Sequence, residues 1–348
     1  MNPELHLRAA LVLRVETDGH LDVDVSKKRI IKLAGAEITR TPLLVPSFSS
    51  KGFPEVDKIT KTMEEVIENV TLISAYDLHY KKIKPPFDFA SVLLFLDSGG
   101  YEASKDAELA DFGERDHRPA KWSQKMHEDV LTGWQSPIPT VFISYDHPKE
   151  RLSVRRQIAR AKQMVPEHRN IIREILLKPE TKGQTLLNVD SVISNIRALS
   201  DFDIIGITEK EIGNSIFNRM ENIAKLRIGL NKAGLDDTPI HIFGSLDTIT
   251  TPMYFLAGAD IFDGLTWLRF AYHNGYTMYK HNYGALELGL KTRAHIIDGR
   301  TWNNNYRYLV DLELELRRFL NGHHFSSFKY HSALFRNAYN SMLEAVRS

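Results

Sequence analysis

Three aspartates stand where short apolar runs give way to polar, glycine-containing turns. They occur in Leu96-Asp97-Ser98-Gly99-Gly100-Tyr101, Ser144-Tyr145-Asp146-His147-Pro148 and Gly258-Ala259-Asp260-Ile261-Phe262-Asp263-Gly264. A lone aspartate after a strand is most often the N-cap of the next helix. Three of them at strand ends suggest more, because carboxylates without an evident cation partner suit general acid/base or covalent carboxylate chemistry. Glycosyl transfer uses such a pair, one as nucleophile and the other as acid and then base. Magnesium binding by one or two carboxylates plus water is the alternative use of the same residues. Gly99, Gly100 and Gly244 lack side chains, so a flat ligand can approach the backbone there. The histidines of the tail, at 273, 281, 295, 323, 324 and 331, form no HxH or HxxxH pair that would favour zinc.

These aspartates need a scaffold that brings strand ends to one rim. Eight short apolar runs are candidates: 43–46, 71–75, 93–97, 140–145, 171–177, 203–207, 239–243 and 260–265. Runs apolar on both faces suit buried parallel strands. Helical spacing fills the gaps: Val56, Ile59, Met63, Val66 and Ile67; Val154, Ile158, Ala161 and Val165; Leu186, Val189, Val192, Ile193, Ile196 and Leu199; and Ile216, Phe217, Met220, Ile223 and Leu226. Eight strands alternating with helices predict a (β/α)8 barrel, with an open doubly wound sheet as the rival. In such a barrel the active site lies at the C-terminal strand ends.

The 348 residues suit one such barrel domain. Residues 1–35 are expected to form a strand-rich extension with a turn at Thr17-Asp18-Gly19, and residues 273–348 a helical C-terminal subdomain. Residues 101–139 read as a loop-rich insertion, and Leu309, Leu312, Leu316, Phe319 and Leu320 as one face of a long final helix. With 43% apolar and 26% charged residues, the composition is that of a folded domain. No run reaches the ~18 apolar residues of a membrane span, and the N-terminus lacks a signal-peptide pattern. A cytoplasmic protein without membrane contact is expected.

There is no cysteine, which excludes disulfides, thiol nucleophiles and cysteine zinc sites. A net charge of +1 argues against a protein that is basic all over. From residue 264 onward, however, 11 Lys/Arg face 6 Asp/Glu. Arg151, Arg155, Arg156, Arg160 and Lys162 form a second basic face; either is more often a solvated surface than a binding site.

Leu96-Asp97-Ser98-Gly99-Gly100-Tyr101-Glu102, Ser144-Tyr145-Asp146, His241-Ile242-Phe243-Gly244 and Gly258–Asp263 resemble the tRNA-guanine transglycosylase superfamily. Glu37–Pro46 is similar to that family's first barrel strand and Tyr306–Phe328 to its closing helix, so the likeness spans about residues 35–330. It implies an enzyme that exchanges guanine in DNA or tRNA for a 7-deazaguanine base, by double displacement and without a cofactor. By resemblance, Asp263 is the nucleophile toward the sugar C1′ and Asp97 the general acid/base. Asp146 would accept from the base's N1–H and exocyclic amine, with Ser98 and Gly99 beside it. Tyr101 and Phe243 would sandwich the base, Gly206 would offer it backbone contact, and Arg269 would grip the strand. Stacking aromatics fit a flipped base, although core packing explains either ring alone equally well.

The departures are specific. The family's three cysteines and histidine on structural zinc cannot form here, and packing of the aromatic tail is the expected substitute. Tyr272 stands at the family's second strand-binding arginine, 177–183 at its Gln-Gly-Gly block, and Pro148 at a cysteine. Family members often dimerise near the zinc region, which is altered in this chain, so a homodimer is one assembly the sequence leaves open. Retained acids with altered reading residues imply the same chemistry on a changed substrate. Two other readings compete: a non-catalytic, nucleic-acid-binding partner subunit, which would not need the three acids, and an unrelated barrel enzyme acting on small sugars.

Overall fold

A computed structural model describes residues 25–85, 89–104, 118–146, 150–163 and 171–347. The expected turn at Thr17-Asp18-Gly19, His147-Pro148 and Val165 lie outside the described residues. Strands β1 (Ile30–Leu33) and β2 (Ala36–Arg40) form an antiparallel hairpin. Eight strands follow: β3 (Leu43–Pro46), β4 (Val70–Ser74), β5 (Leu93–Asp97), β6 (Thr140–Ile143), β7 (Ile172–Leu177), β8 (Ile204–Thr208), β9 (Ile240–Phe243) and β10 (Ile261–Gly264). They pair in parallel in the order β3-β10-β9-β8-β7-β6-β5-β4. The two ends of that order meet at a bridge between Ser47 and Leu72, and the Thr71 hydroxyl donates to the Pro46 carbonyl at 3.1 Å. The chain is a (β/α)8 barrel.

The strands coincide with the eight apolar runs because a parallel strand covered on both faces needs apolar residues at every position; β3, β4 and β5 are buried throughout. Inward positions such as Val45, Leu72, Phe95, Ile143 and Leu176 fill the barrel, and Ile31 of the hairpin joins them from below. A polar lock completes the floor. Asp260 accepts from Arg29 and from Arg227, each at 2.6 Å, and all three side chains are enclosed.

The helices at Val56–Met63, Val154–Gln163 and Ile216–Lys232 follow the apolar spacing. The stretch around 186–199 does not stay one helix. It divides into Val189–Ser194 and a 3₁₀ turn, Ile196–Asp201, at Asn195, whose side chain donates back to the Ser191 carbonyl. Polar side chains that bond their own backbone compete with helix continuation in this way. The insertion carries the helix Gln124–Gly133, capped by Ser123.

Beyond the barrel, β11 (Ala271–His273) and β12 (Tyr276–Met278) form a small hairpin. The 29-residue helix Ala294–Gly322 then runs along the barrel wall. Its Glu313 accepts from the Leu44 amide, and its Asn305 donates to the Trp267 and Phe270 carbonyls. A last helix, Ser332–Arg347, packs on Ile216–Lys232 and Thr250–Leu256. Phe319, Phe328 and Phe335 join the two terminal helices, with ring centroids 5.5 and 5.1 Å apart. No helix among the described residues is long and apolar enough to cross a membrane.

Candidate active site

The C-terminal strand ends open into a cavity of about 450 Å³. Asp97 from β5, Asp146 beyond β6 and Asp263 from β10 all line it, with Ser98, Tyr101, Phe243 and Arg269. None of the helices following Asp97 and Asp263 uses the aspartate as its cap: those N-caps are Gly99 and Leu265. The bland reading of these two acids therefore fails on geometry.

Asp263 is surrounded by donors. One carboxylate oxygen accepts from the Ser47 hydroxyl at 2.8 Å and the other from the Gly244 amide at 3.1 Å. Gly244 has φ +80°, a left-handed conformation that glycine adopts without strain and that turns its N–H toward Asp263. His241 Nε2 lies 3.3 Å from the Gly244-bonded oxygen, and His241 Nδ1 lies 2.8 Å from Glu174.

Asp97 has the opposite surroundings. Burial raises its pKa well above the usual carboxylate range, and Glu102 and Asp146 nearby raise it further. The Gly99 amide, at 3.1 Å, offsets only part of this. A carboxyl whose burial favours its neutral form thus lines the same cavity as an Asp263 side chain held by the Ser47 and Gly244 donors.

Asp146 accepts from the Ser98 hydroxyl and lies 3.4 Å from the Lys178 ammonium. Lys178 also reaches Glu211 at 3.0 Å and Thr208 at 2.9 Å. Burial alone would lower its pKa, but the Asp146 and Glu211 carboxylates outweigh that and raise it. Asp146 is therefore not an acid without a cation. A Cβ on Gly100 would lie 2.2 Å from the Asp146 carboxylate, so the close approach that Gly100 permits is to this side chain. Gly99, at φ +82°, instead packs against Tyr76 and Trp122, behind the lining.

Both expected stacking rings face the cavity. Phe243 lies on the His241 ring with centroids 4.0 Å apart. The Tyr101 hydroxyl accepts from Arg269 at 2.8 Å, and the Lys51 ammonium sits 4.2 Å from its ring centre. Gly206 is placed differently from the expectation. It does not line the cavity, and its missing side chain makes room for Phe243 and Glu174, which a Cβ would approach to 2.5 and 2.6 Å.

Four residues of the site were not among the sequence candidates: Glu102, Glu174, Lys178 and His241. Glu102 accepts from Ser49 and Ser74, and burial followed by repulsion from Asp77 raises its pKa to about 7. Glu174 and His241 had a visible signal, a charged or polar residue at an inward position of an apolar barrel strand. On the basic helix, Arg160 pairs with Glu150 and Lys162 with Asp201, while Arg155 and Arg156 are exposed. Among the described residues no group of three histidine, aspartate or glutamate side chains is arranged to hold a metal. No protein-family model matches this chain, and no curated protein matches it significantly.

Proposed function

We propose that this protein is a nucleic-acid guanine transglycosylase that exchanges guanine for a 7-deazaguanine base in DNA or tRNA. The observation that carries the proposal is the opposed setting of two carboxyl groups across one cavity: Asp263 ringed by donors, Asp97 buried among acids. A carboxyl raised by burial suits the general acid, and one that accepts from a hydroxyl and a backbone amide suits the nucleophile.

Asp263 attacks C1′ of the flipped nucleotide. The glycosidic electron pair leaves with guanine, which takes the Asp97 proton. The entering base then returns its N9 proton to Asp97, and C1′ passes from Asp263 to N9. Asp146 suits the N1–H and amino edge of either base, because an ionised carboxylate only accepts. The cavity volume suits a purine-sized ligand. Arg269 lines the cavity beside Tyr101, and its guanidinium suits a phosphate of the substrate strand.

The test is exchange of radiolabelled guanine or preQ0 into tRNA and into DNA. Incorporation into one of them is expected, together with a covalent protein–nucleic acid adduct that Asp263→Ala abolishes. Folded protein that exchanges on neither polymer overturns the proposal, and an adduct that survives Asp263→Ala overturns the assignment of the nucleophile.

A further inference from the structure

Below the cavity, the barrel interior holds two polar side chains that the exchange reaction leaves without a task. Glu174 projects inward from β7 and His241 from β9, and both are enclosed. Gly206 on β8, between those two strands, leaves room for Glu174 and for the Phe243 ring that stacks on His241. Contacts run in one line, from Glu174 to His241 Nδ1 at 2.8 Å and from His241 Nε2 to Asp263 at 3.3 Å. The charged groups facing the imidazole are these two acids. Phe95 of β5 meets it edge-on at 5.5 Å, Phe243 stacks on it, and Gly206 adds no side chain.

An imidazole in an apolar barrel layer should be neutral, because burial disfavours its charged form. Burial acts here too, but Glu174 first, and then Asp263, outweigh it and raise the pKa of His241 to about 9. That direction favours the imidazolium at neutral pH.

We infer that Glu174 and His241 are positioning residues that hold a buried positive charge against Asp263 and so drive the second displacement, the release of Asp263 from the sugar. This rests on the transglycosylase reading. In the glycosyl-enzyme the Asp263 ester is uncharged, and Glu174 alone balances the imidazolium. When the entering base attacks C1′, the C1′–O bond breaks and its electron pair returns to the Asp263 oxygen. The N9 proton of the base goes to Asp97. The restored negative charge falls beside His241, between the Ser47 hydroxyl and the Gly244 amide. No proton moves along the relay. Its effect is to favour the free carboxylate over the covalent ester, so that the enzyme does not stall as an adduct.

Removing the charge should therefore raise the amount of adduct, whereas damage to the fold would lower it. The test uses the full-length protein and its His241→Gln and Glu174→Gln variants, with the nucleic acid that supports exchange. The guanine concentration that reverses half of the adduct should rise roughly tenfold to a hundredfold in either variant, the scale of a hydrogen bond to a charged group. An unchanged or lowered value in folded protein overturns the inference. Ring-nitrogen NMR of histidine-labelled wild-type protein, assigned by the signal lost in His241→Gln, should show an imidazolium through pH 8. A neutral ring at pH 7 overturns the inference whatever the kinetics. If no polymer gives an adduct with wild-type protein, the transglycosylase reading fails, and the NMR titration still decides the state of the relay.

Discussion

Asp97 and Asp263 carry the same functional group and differ only in their neighbours. Donors from Ser47 and Gly244 converge on Asp263, with the His241 ring 3.3 Å away, while acids and burial surround Asp97. Glu102 extends the acidic side, and its titration sets a dependence of stability on pH. At low pH it is protonated in both folded and unfolded chains. From its ordinary value of 4.5 up to about 7, the unfolded chain releases a proton that the folded chain keeps. Stability present in acid is thus lost as pH rises through that window, at about 1.4 kcal/mol per pH unit, or roughly 3 kcal/mol in all. The melting temperature should fall between pH 5 and pH 8, and Glu102→Gln should flatten the fall. Asp77, raised to about 6 by burial, leaves a residual slope in the variant. A wild-type melting temperature that rises over this range would contradict the placement of Glu102.

At the scale of elements, the strand-to-helix turn after β5 does two tasks in four residues. Asp97 ends the strand, Ser98 holds Asp146, Gly99 takes a left-handed conformation, and Gly100 leaves room for the Asp146 carboxylate. Gly100→Ala should therefore displace Asp146 while leaving the barrel folded. Guanine binding measured by calorimetry should weaken roughly tenfold to a hundredfold, as small displacements of a reading group do, with an unchanged circular dichroism spectrum. Unaltered binding would remove Asp146 from the base edge. The polar turns at strand ends were legible because glycines and acids interrupt apolar runs there. What Gly100 accommodates was not legible, since Asp146 arrives from a different strand. The division of the 186–199 stretch was hidden for a related reason: its apolar spacing continues through Asn195, and the side-chain bond from Asn195 to Ser191 at the break leaves no mark on that spacing.

At the scale of the whole molecule, the segment before the hairpin is tied to the barrel floor by Arg29, Asp260 and Arg227. Removing the shared anion would leave two enclosed guanidinium groups without their counter-ion. Asp260→Ala should cost about 3–5 kcal/mol, the scale for breaking a buried pair, read as a lower urea midpoint. A midpoint unchanged from wild type would show that the floor is solvated. The opposite flank is closed by aromatic packing. Phe319, Phe328 and Phe335 make an apolar joint between the terminal helices, and Glu313 and Asn305 bond the longer one to barrel backbone.

The sequence by itself determined the barrel and its rim. Strands buried on both faces must be apolar throughout, so their ends, and the acids at those ends, are visible as breaks in composition. Only the tertiary structure decided the electrostatics of that rim. The cation beside Asp146 directly follows β7, and the histidine beside Asp263 is held by Glu174, 67 residues before it in the chain. Apolar periodicity is a local property that each strand displays alone. A charge balance between enclosed side chains exists only once barrel closure brings three strands around one cavity and excludes water from them.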